Sequence, residues 1–509
     1  MKNYIAHIIL PLLLAFIAAC NVSKDNVKPE AALPVKFRND NFSQAVRDSP
    51  VRATVDKLAI IDSSTASDRL GASDSLAIDR NTHEGNNIAD LSWKNFFTDP
   101  VLQKLIDTAI VKNYDMQLAI KNIETAQLLL KQSRWGYVPD LSLQIGASSN
   151  RPSDNSLNGL SASQFLGTKH IEDFTANISL SWEADIWGKI KNRKAAALAG
   201  YLQSEEVRKA VQTNLVASIS QAYYNLLMLD EQLLIAEKNI RLSDSTLRIL
   251  RFQYNAGQVT ALAVQQAEAQ QNTATALLPQ IEKDIVLQEN ALRVLSAELP
   301  SAVLRQSTLA QVNISDSLSA GVPTEMLSRR PDVKRQELEL NIANAQVGIT
   351  RANMYPALKI TAAGGLNAFK ASNWFNIPAS LYGAVTGGIV QPLILKKQLK
   401  TEYEIAKVRR EQSVIEFRQS VLFAVGEVSD ALVRIEKLGT EQRIVRDRVE
   451  LLQKATSNAR QLFSSGMANY LEVITAQGNV LQSELELAAL TREHLGAKVE
   501  LYRSLGGGW

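Results

Sequence analysis

The residues that could carry catalysis or bind a metal ion are few and far apart in this sequence. No nucleophile–base pair, phosphate-binding glycine loop or dinucleotide-binding fingerprint is present. Glu484 and Glu486 are expected on a solvated helix face, and the single cysteine excludes a cysteine metal cluster. The four histidines lack ligand spacing: His7, His83, His170 and His494. We therefore predict that the protein is not an enzyme and requires no cofactor or metal ion.

The one cysteine, Cys20, is the clearest site of covalent chemistry. It follows an apolar run from Ile8 to Ala19, which is too short for a stable membrane span and is typical of a secretory signal peptide. The small residues Ala18 and Ala19 before it resemble the lipobox of bacterial lipoproteins, in which the cysteine becomes acylated after cleavage. We predict a signal peptide over residues 1–19, lipidation of Cys20 and a tether over 20–88. A simple signal peptide with an incidental cysteine is the alternative.

The second half of the chain repeats the first half. The aligned pairs are Arg134/Arg351, Pro139/Pro356 and Leu141/Leu358 at an offset of 217, then Arg251/Arg460, Gly257/Gly466, Val264/Val473 and Ala267/Ala476 at an offset of 209. The offset changes between Pro356 and Lys396, so the second copy has a shorter loop there. A repeat of this length exceeds a solenoid unit. It predicts two pseudo-equivalent modules over 89–300 and 324–509, joined by a linker over 301–323.

Each module carries the pattern of a long helical hairpin. Apolar residues follow a heptad seam from Leu215 to Ile240, and the seam recurs from Ala424 to Val449 with a break at Gln442. The helical pattern extends from about 190 to 253 and from about 398 to 463, so each helix would span roughly 100 Å. A glycine turn and a returning helix follow, with predicted tips at 255–260 and 464–469. Thr260 and Asn469 are placed to cap the returning helices.

Four short segments alternate apolar and polar residues instead. They lie at about 140–149, 172–183, 357–368 and 381–391, and each is about as long as a tilted membrane-spanning strand. A small soluble four-stranded sheet is the alternative interpretation. Four strands cannot close a barrel, and open strand edges are not tolerated in lipid. If these strands lie in a membrane, several copies of the chain must share one barrel.

Three motifs, in order along the chain, resemble those of the TolC-like outer-membrane efflux proteins, specifically their lipoprotein branch (NodT-like). They are Trp93–Pro100, Trp182–Lys189 and Leu327–Val333, the last containing Arg329-Arg330-Pro331-Asp332. The resemblance implies a mainly α chain with a membrane β part. Three chains would form a homotrimer with one shared 12-stranded transmembrane β-barrel and a periplasmic α-barrel of coiled-coil hairpins.

The resemblance also implies function and partners. The chain would be the lipid-anchored outer-membrane channel of a tripartite efflux system in a Gram-negative cell. It would dock a periplasmic membrane-fusion (adaptor) protein and an inner-membrane RND transporter to export drugs or other small toxic compounds. A net charge of +3, without a basic patch that contains interleaved aromatics, argues against a nucleic-acid partner.

In the family that this sequence resembles, functional residues lie at the glycine turns. The adaptor contacts implied here are Gly257, Val259, Thr260, Leu262, Gly466, Asn469 and Leu471. The periplasmic gate implied by the resemblance consists of Leu471, Glu472 and Thr475. Ordinary capped hairpins, with Glu472 on a solvated helix face, are the alternative to both assignments.

Two other functions are compatible with the pattern. The chain could be the outer-membrane exit of a type I protein-secretion system, although the Arg-Arg-Pro-Asp motif and the lipobox favour the pump branch. It could also be a periplasmic coiled-coil scaffold without a pore. Residence in the outer-membrane fraction and heat-modifiable migration on gels would separate a channel from such a scaffold.

Overall fold

The structure is a computed structural model that describes residues 91–161, 164–165, 167–312, 314 and 328–509. The predicted signal peptide, Cys20 and the tether lie outside the described residues, as does Leu327 of the third motif. The helices are α1 (Trp93–Phe96), α2 (Pro100–Lys112), α3 (Tyr114–Trp135), α4 (Leu157–Ser161), α5 (Lys189–Asn255), α6 (Ala261–Leu295), α7 (Pro331–Ala352), α8 (Gln398–Ser464) and α9 (Tyr470–Ser504). The strands are β1 (Asp140–Asn150), β2 (Ile171–Ala184), β3 (Ala357–Ala368) and β4 (Leu381–Val390).

The chain divides into two compact units. The strand unit comprises residues 123–204 and 336–417 and contains all four strands. The tip unit comprises the described residues among 30–122, 205–335 and 418–509 and contains both glycine turns. Among the described residues, no helix is both long enough and apolar enough to cross a membrane.

Two helices of 67 residues each, α5 and α8, dominate the chain. Neither contains proline, and both are rich in residues that lose little rotamer freedom in a helix. At 1.5 Å per residue each spans roughly 100 Å. The predictions of long helices over about 190–253 and 398–463 are therefore confirmed.

The heptad seams pack inward, as predicted. Leu215, Ile219 and Leu226 are buried on α5, and Ala424 and Val428 are buried on α8. Gln442, which interrupts the second seam, is half-buried, and its Nε2 donates a hydrogen bond to Thr491 Oγ1 on α9 at 2.8 Å. The polar residue in the seam is therefore satisfied by the returning helix.

The third motif forms an anchor at the start of α7. The Arg330 side chain is only 4% exposed and contacts three groups. Its guanidinium donates to both carboxylate oxygens of Asp332 at 3.0 and 2.6 Å, to Glu427 Oε2 at 2.8 Å and to the Ser504 carbonyl at 3.0 Å. The start of the second module is thus tied to α8 and to the end of α9 by charge-assisted bonds.

Burial and charge oppose each other in this anchor. Burial alone raises the pKa of Asp332, but the hydrogen bonds and positive charge of Arg330 outweigh it. They hold the pKa of Asp332 below its ordinary value. The cluster is therefore an ion pair that remains charged at neutral pH.

Candidate channel lining and docking site

The four strands form one antiparallel sheet in the order β1-β2-β3-β4. The register places Leu143 opposite Ile178, Ile178 opposite Gly364 and Gly364 opposite Gly383. Because side chains alternate along a strand, this register gathers the apolar residues on one face. That face carries Leu141, Leu143, Ile145, Phe174, Ile178, Leu180, Trp182, Leu358, Ile360, Leu366, Leu381, Val385 and Ile389.

The apolar face is open over much of its area. Leu141 is 70% exposed and Val385 is 78% exposed, and Leu143, Ile145 and Ile389 are open to a similar degree. In water an apolar surface of this extent is unfavourable and marks contact with lipid or with another protein. The face therefore has the character of a lipid-facing wall.

The opposite face of the sheet is polar. Ser142 and Ser179 share a hydrogen bond at 2.7 Å, and Asn177 Nδ2 donates to Tyr382 Oη at 3.0 Å across the intervening β3. Gly365 lies between these last two residues, where an added Cβ would come 2.1 Å from the Ala176 carbonyl oxygen. The face also carries charge at Glu183 and Lys359. Such a surface suits water and ionic solutes.

The sheet has two open edges. In the part of the chain that the structure describes, β1 pairs only with β2, and β4 pairs only with β3. The outer edge of each of these strands therefore presents unpaired backbone N–H and C=O groups. In lipid those groups require a partner strand.

The helical hairpins turn at two glycines in the left-handed region. Gly257 has φ 72° and Gly466 has φ 76°, conformations that glycine adopts without steric cost. The amide of the residue after each glycine reaches back into the last turn. Gln258 N–H donates to the Gln253 carbonyl and Met467 N–H donates to the Leu462 carbonyl, both at 2.8 Å. This is the Schellman pattern that ends a helix at glycine.

The two tips share one small core. Leu250, Ala263, Phe463 and Val473 are buried together, with Leu247 and Ala267, and Val259 packs against them while partly buried. Hydrogen bonds add to this packing. Tyr470 Oη donates to Gln266 Oε1 at 3.0 Å, and Gln477 Nε2 donates to Thr246 Oγ1 at 2.9 Å. The hairpins therefore present their turns side by side.

Only one of the two predicted caps forms. Asn469 Oδ1 accepts a hydrogen bond from the Leu471 amide at 3.4 Å, so this prediction is confirmed. Thr260 holds the N-cap position of α6 with extended backbone, but its side chain makes no capping bond. The prediction of a threonine cap is therefore wrong. The Thr260 carbonyl accepts the first bond of the helix, from the Ala263 amide at 3.1 Å.

Most of the predicted contact residues lie on the open surface of the tips. Gly257, Thr260, Gly466 and Asn469 are exposed, as are Leu262 at 56% and Leu471 at 51%. Val259 faces the tip core instead. Sequence reasoning missed Phe252 and Met467, which are apolar and more exposed than either leucine. Their signal was an apolar residue beside each glycine turn.

The three predicted gate residues lie on the first turns of α9. Leu471, Glu472 and Thr475 are all exposed in the single chain. Glu472 occupies the first turn, where the positive end of the helix dipole favours a carboxylate. Cys20 lies outside the described residues. Within those residues, no three His, Cys, Asp or Glu side chains are grouped so that they could hold a metal ion.

Comparison with known proteins assigns this architecture to a protein family. The model of the outer membrane efflux protein family matches residues 105–298 and 322–507, one stretch in each module. The chain belongs to this family. It is an efflux protein of the outer membrane and not an enzyme.

Individual relatives are similar to this chain over most of their own length. The probable outer membrane lipoprotein SilC of Salmonella typhimurium is 28% identical over 428 residues, which cover 83% of this chain and 89% of SilC. The toluene efflux pump outer membrane protein TtgF of Pseudomonas putida is 29% identical over 427 residues, 83% of this chain and 86% of TtgF.

A solved structure supports the same fold. A crystal structure of CusC, from a study of its folding and transmembrane channel formation, aligns with a TM-score of 0.74 and 26% identity. The alignment covers 82% of this chain and 95% of the CusC chain. The predicted fold class, mainly α with a membrane β part, is therefore confirmed.

Proposed function

We propose that three copies of the chain close one 12-stranded barrel and form a passive exit duct through the outer membrane. The single observation that carries this proposal is the sheet, which has an apolar face, a polar face and two open edges. Four strands are too few to enclose a lumen, whereas twelve leave an interior that water can fill. The apolar faces would then contact lipid and the polar faces would line the lumen.

The helix tips are proposed to dock a periplasmic adaptor protein, which connects the duct to an inner-membrane RND transporter. The exposed residues Leu262, Met467 and Leu471 offer apolar contacts beside two glycines with no side chain to obstruct approach. Exposed apolar residues that surround a rigid turn are typical of a protein contact. The cargo is proposed to be small toxic compounds, the class to which the toluene in the name of TtgF belongs.

Leu471, Glu472 and Thr475 are proposed to form the periplasmic gate in the trimer. Threefold assembly would place three Glu472 carboxylates around one narrow passage. There they would attract cations and repel anions, because a narrow and partly desolvated pore screens charge weakly. The exposure of Glu472 in the single chain leaves its carboxylate available for this role.

The amino-terminal assignments remain proposals as well. We infer that residues 1–19 are removed, that Cys20 is lipidated and that 20–88 form the tether to the first module at 89–300. The linker over 301–323 then leads to the second module at 324–509. SilC, named as a probable lipoprotein, supports this assignment.

Recording from the purified protein in planar bilayers tests both the duct and its gate. The wild-type protein is expected to give discrete conductance steps, and multivalent cations are expected to block them. Glu472→Gln should weaken that block several-fold because it removes three charges from the gate. Glu486→Gln changes an exposed carboxylate on the same helix that pairs with Arg448, and it should leave the block unchanged. Conductance and block identical to wild type in Glu472→Gln would remove Glu472 from the gate.

A further inference from the structure

The tip unit contains a cavity between the two modules. Its volume is about 730 Å³, and its walls are α5 of the first module, α8 and α9 of the second, and residues 309–314 of the linker. That volume lies within the range of small-molecule sites, about 300–1,000 Å³. Neither the glycine turns nor the sheet contributes to the walls. The cavity is therefore a candidate binding site separate from the proposed duct and docking surface.

The buried part of the cavity wall is apolar. Six hydrocarbon side chains in it are at most 8% exposed: Ile235, Leu309, Ile314, Val449, Ala488 and Leu495. Leu234, at the open side, is 55% exposed. Covering apolar surface of this kind releases water and favours binding. The wall therefore favours an occupant with a hydrocarbon part.

The cavity is long and narrow. Glu484 and Lys498 both line it and lie fourteen residues apart on α9, so it spans roughly 20 Å. A volume of about 730 Å³ over that length gives a mean cross-section of about 35 Å². A helix with its side chains is about 10–12 Å in diameter and needs roughly 80 Å² or more. The shape therefore suits a thin occupant, either an alkyl chain or an extended peptide.

Hydrogen bonds within the wall favour the alkyl chain. Glu484 Oε1 accepts hydrogen bonds from Lys238 Nζ at 3.1 Å and from Gln453 Nε2 at 2.6 Å. Lys498 Nζ donates to the Ile314 carbonyl at 2.9 Å. The walls are helices and linker without a strand edge, whereas each residue of a buried peptide brings a backbone donor and acceptor that need partners. An alkyl chain needs none.

Two charged groups of the wall are left for a ligand. Glu231 lines the cavity from α5 and Arg446 lines it from α8. Within the described part of the chain, neither side chain has a hydrogen-bond or ion-pair partner. One wall thus offers a negative charge and another wall offers a positive charge. A head group that carries both signs can pair with both.

We propose that this cavity binds an amphiphile with one alkyl chain and a zwitterionic head group, the chemistry of a single-chain phospholipid. An acyl chain spans half of a hydrocarbon core, about 15 Å, and so fits the length of the cavity. The chain covers the buried apolar residues, the ammonium group faces Glu231 and the phosphate faces Arg446 in a charge-assisted contact. The site is complete within one chain, so it does not depend on the three-copy assembly.

Three probes that share a twelve-carbon chain test the head group. They are dodecylphosphocholine, dodecyltrimethylammonium and laurate, titrated into the intact protein in maltoside detergent and counted as bound mass by native mass spectrometry. Dodecylphosphocholine should saturate at one molecule per chain. It should bind about tenfold more tightly than either singly charged probe, because it gains one further charge-assisted contact.

Substitutions in the wall separate the two charges. Arg446→Gln should weaken dodecylphosphocholine and laurate about tenfold and spare dodecyltrimethylammonium. Glu231→Gln should weaken dodecylphosphocholine and dodecyltrimethylammonium and spare laurate. Arg443→Gln on α8 and Glu237→Gln on α5 change charges outside the cavity wall and should bind all three probes as wild type does.

Three results would overturn the proposal. The first is the absence of saturable dodecylphosphocholine binding to the wild-type protein. The second is equal binding of all three probes, which would mean that the cavity does not select a zwitterionic head. The third is binding that neither Arg446→Gln nor Glu231→Gln changes, which would place the bound amphiphile elsewhere on the protein.

Discussion

Gly257→Asp and Gly466→Asp are each expected to abolish pump-dependent export while the protein still assembles in the outer membrane. An added Cβ meets nothing within 4 Å at either glycine. Aspartate is also one of the few residues that tolerate a left-handed backbone. The chain itself therefore has room for the substitution. The defect arises at the proposed contact, where three added carboxylates would lose water against the adaptor without gaining a partner.

The matched control is asparagine at the same two positions. Gly257→Asn and Gly466→Asn have the same shape and backbone tolerance but no charge, so they should retain most of the export. The measurement is accumulation of an exported fluorescent dye in cells that depend on this channel, with trimer content read from heat-modifiable migration. Normal export by both aspartate variants, at wild-type trimer levels, would remove the glycine turns from the docking surface.

Arg330→Ala is expected to destabilise the tip unit strongly. It removes the buried donor for Asp332, Glu427 and the Ser504 carbonyl together. Loss of charge-assisted bonds to a buried group costs about 3 kcal/mol. Asp332 and Glu427 are partly exposed and can regain water, which keeps the loss near that value. The midpoint of thermal unfolding of the detergent-solubilised protein should fall by several degrees.

Two comparisons separate the anchor from a general effect of lost charge. Arg330→Lys keeps the charge but not the forked geometry, so its midpoint should lie between those of wild type and Arg330→Ala. Arg448→Ala removes an exposed partner of Glu486 and should change stability by less than about 1 kcal/mol. Equal midpoints of thermal unfolding for Arg330→Ala and Arg448→Ala would contradict the prediction that Arg330 anchors the tip unit.

The anchor also has a defined dependence on pH. Because the pKa of Asp332 is lowered in the folded protein, its contribution to stability is fully present above the ordinary aspartate pKa of about 3.9. It is lost as the pH falls through the lower folded value. The midpoint of thermal unfolding is expected to be higher in wild type than in Arg330→Ala. This difference should become smaller below about pH 4 and stay constant from pH 6 to 8.

Periodicity in the sequence was sufficient to predict the helical part of the fold. Leu215, Ile219 and Leu226 of the first seam are buried because a four–three spacing places the seam on one side of the helix. Strand alternation was equally informative, since it separates Leu143 from Gln144. Alternation could not show which face is hydrated, because residues on both faces of β1 are exposed in the single chain. The register was needed to show that one face is apolar across all four strands.

Contacts that depend on tertiary packing were not predictable from the sequence. Spacing placed Thr260 and Asn469 equally well as caps, yet only the asparagine side chain makes the bond. The motif at Arg330 was recognisable, but its bonds to Glu427 and Ser504 join segments 97 and 174 residues away. The exposure of Met467 likewise depends on how the two hairpins pack at their tips.

Counting the chains in one particle is the most direct test of the shared barrel. The protein would be extracted from outer membranes in mild detergent and weighed intact by native mass spectrometry, with the mass of the denatured mature chain as reference. A particle three times that mass is expected, because four strands from each of three chains make the twelve that close the sheet. A particle of one, two or four chains would contradict the proposed duct.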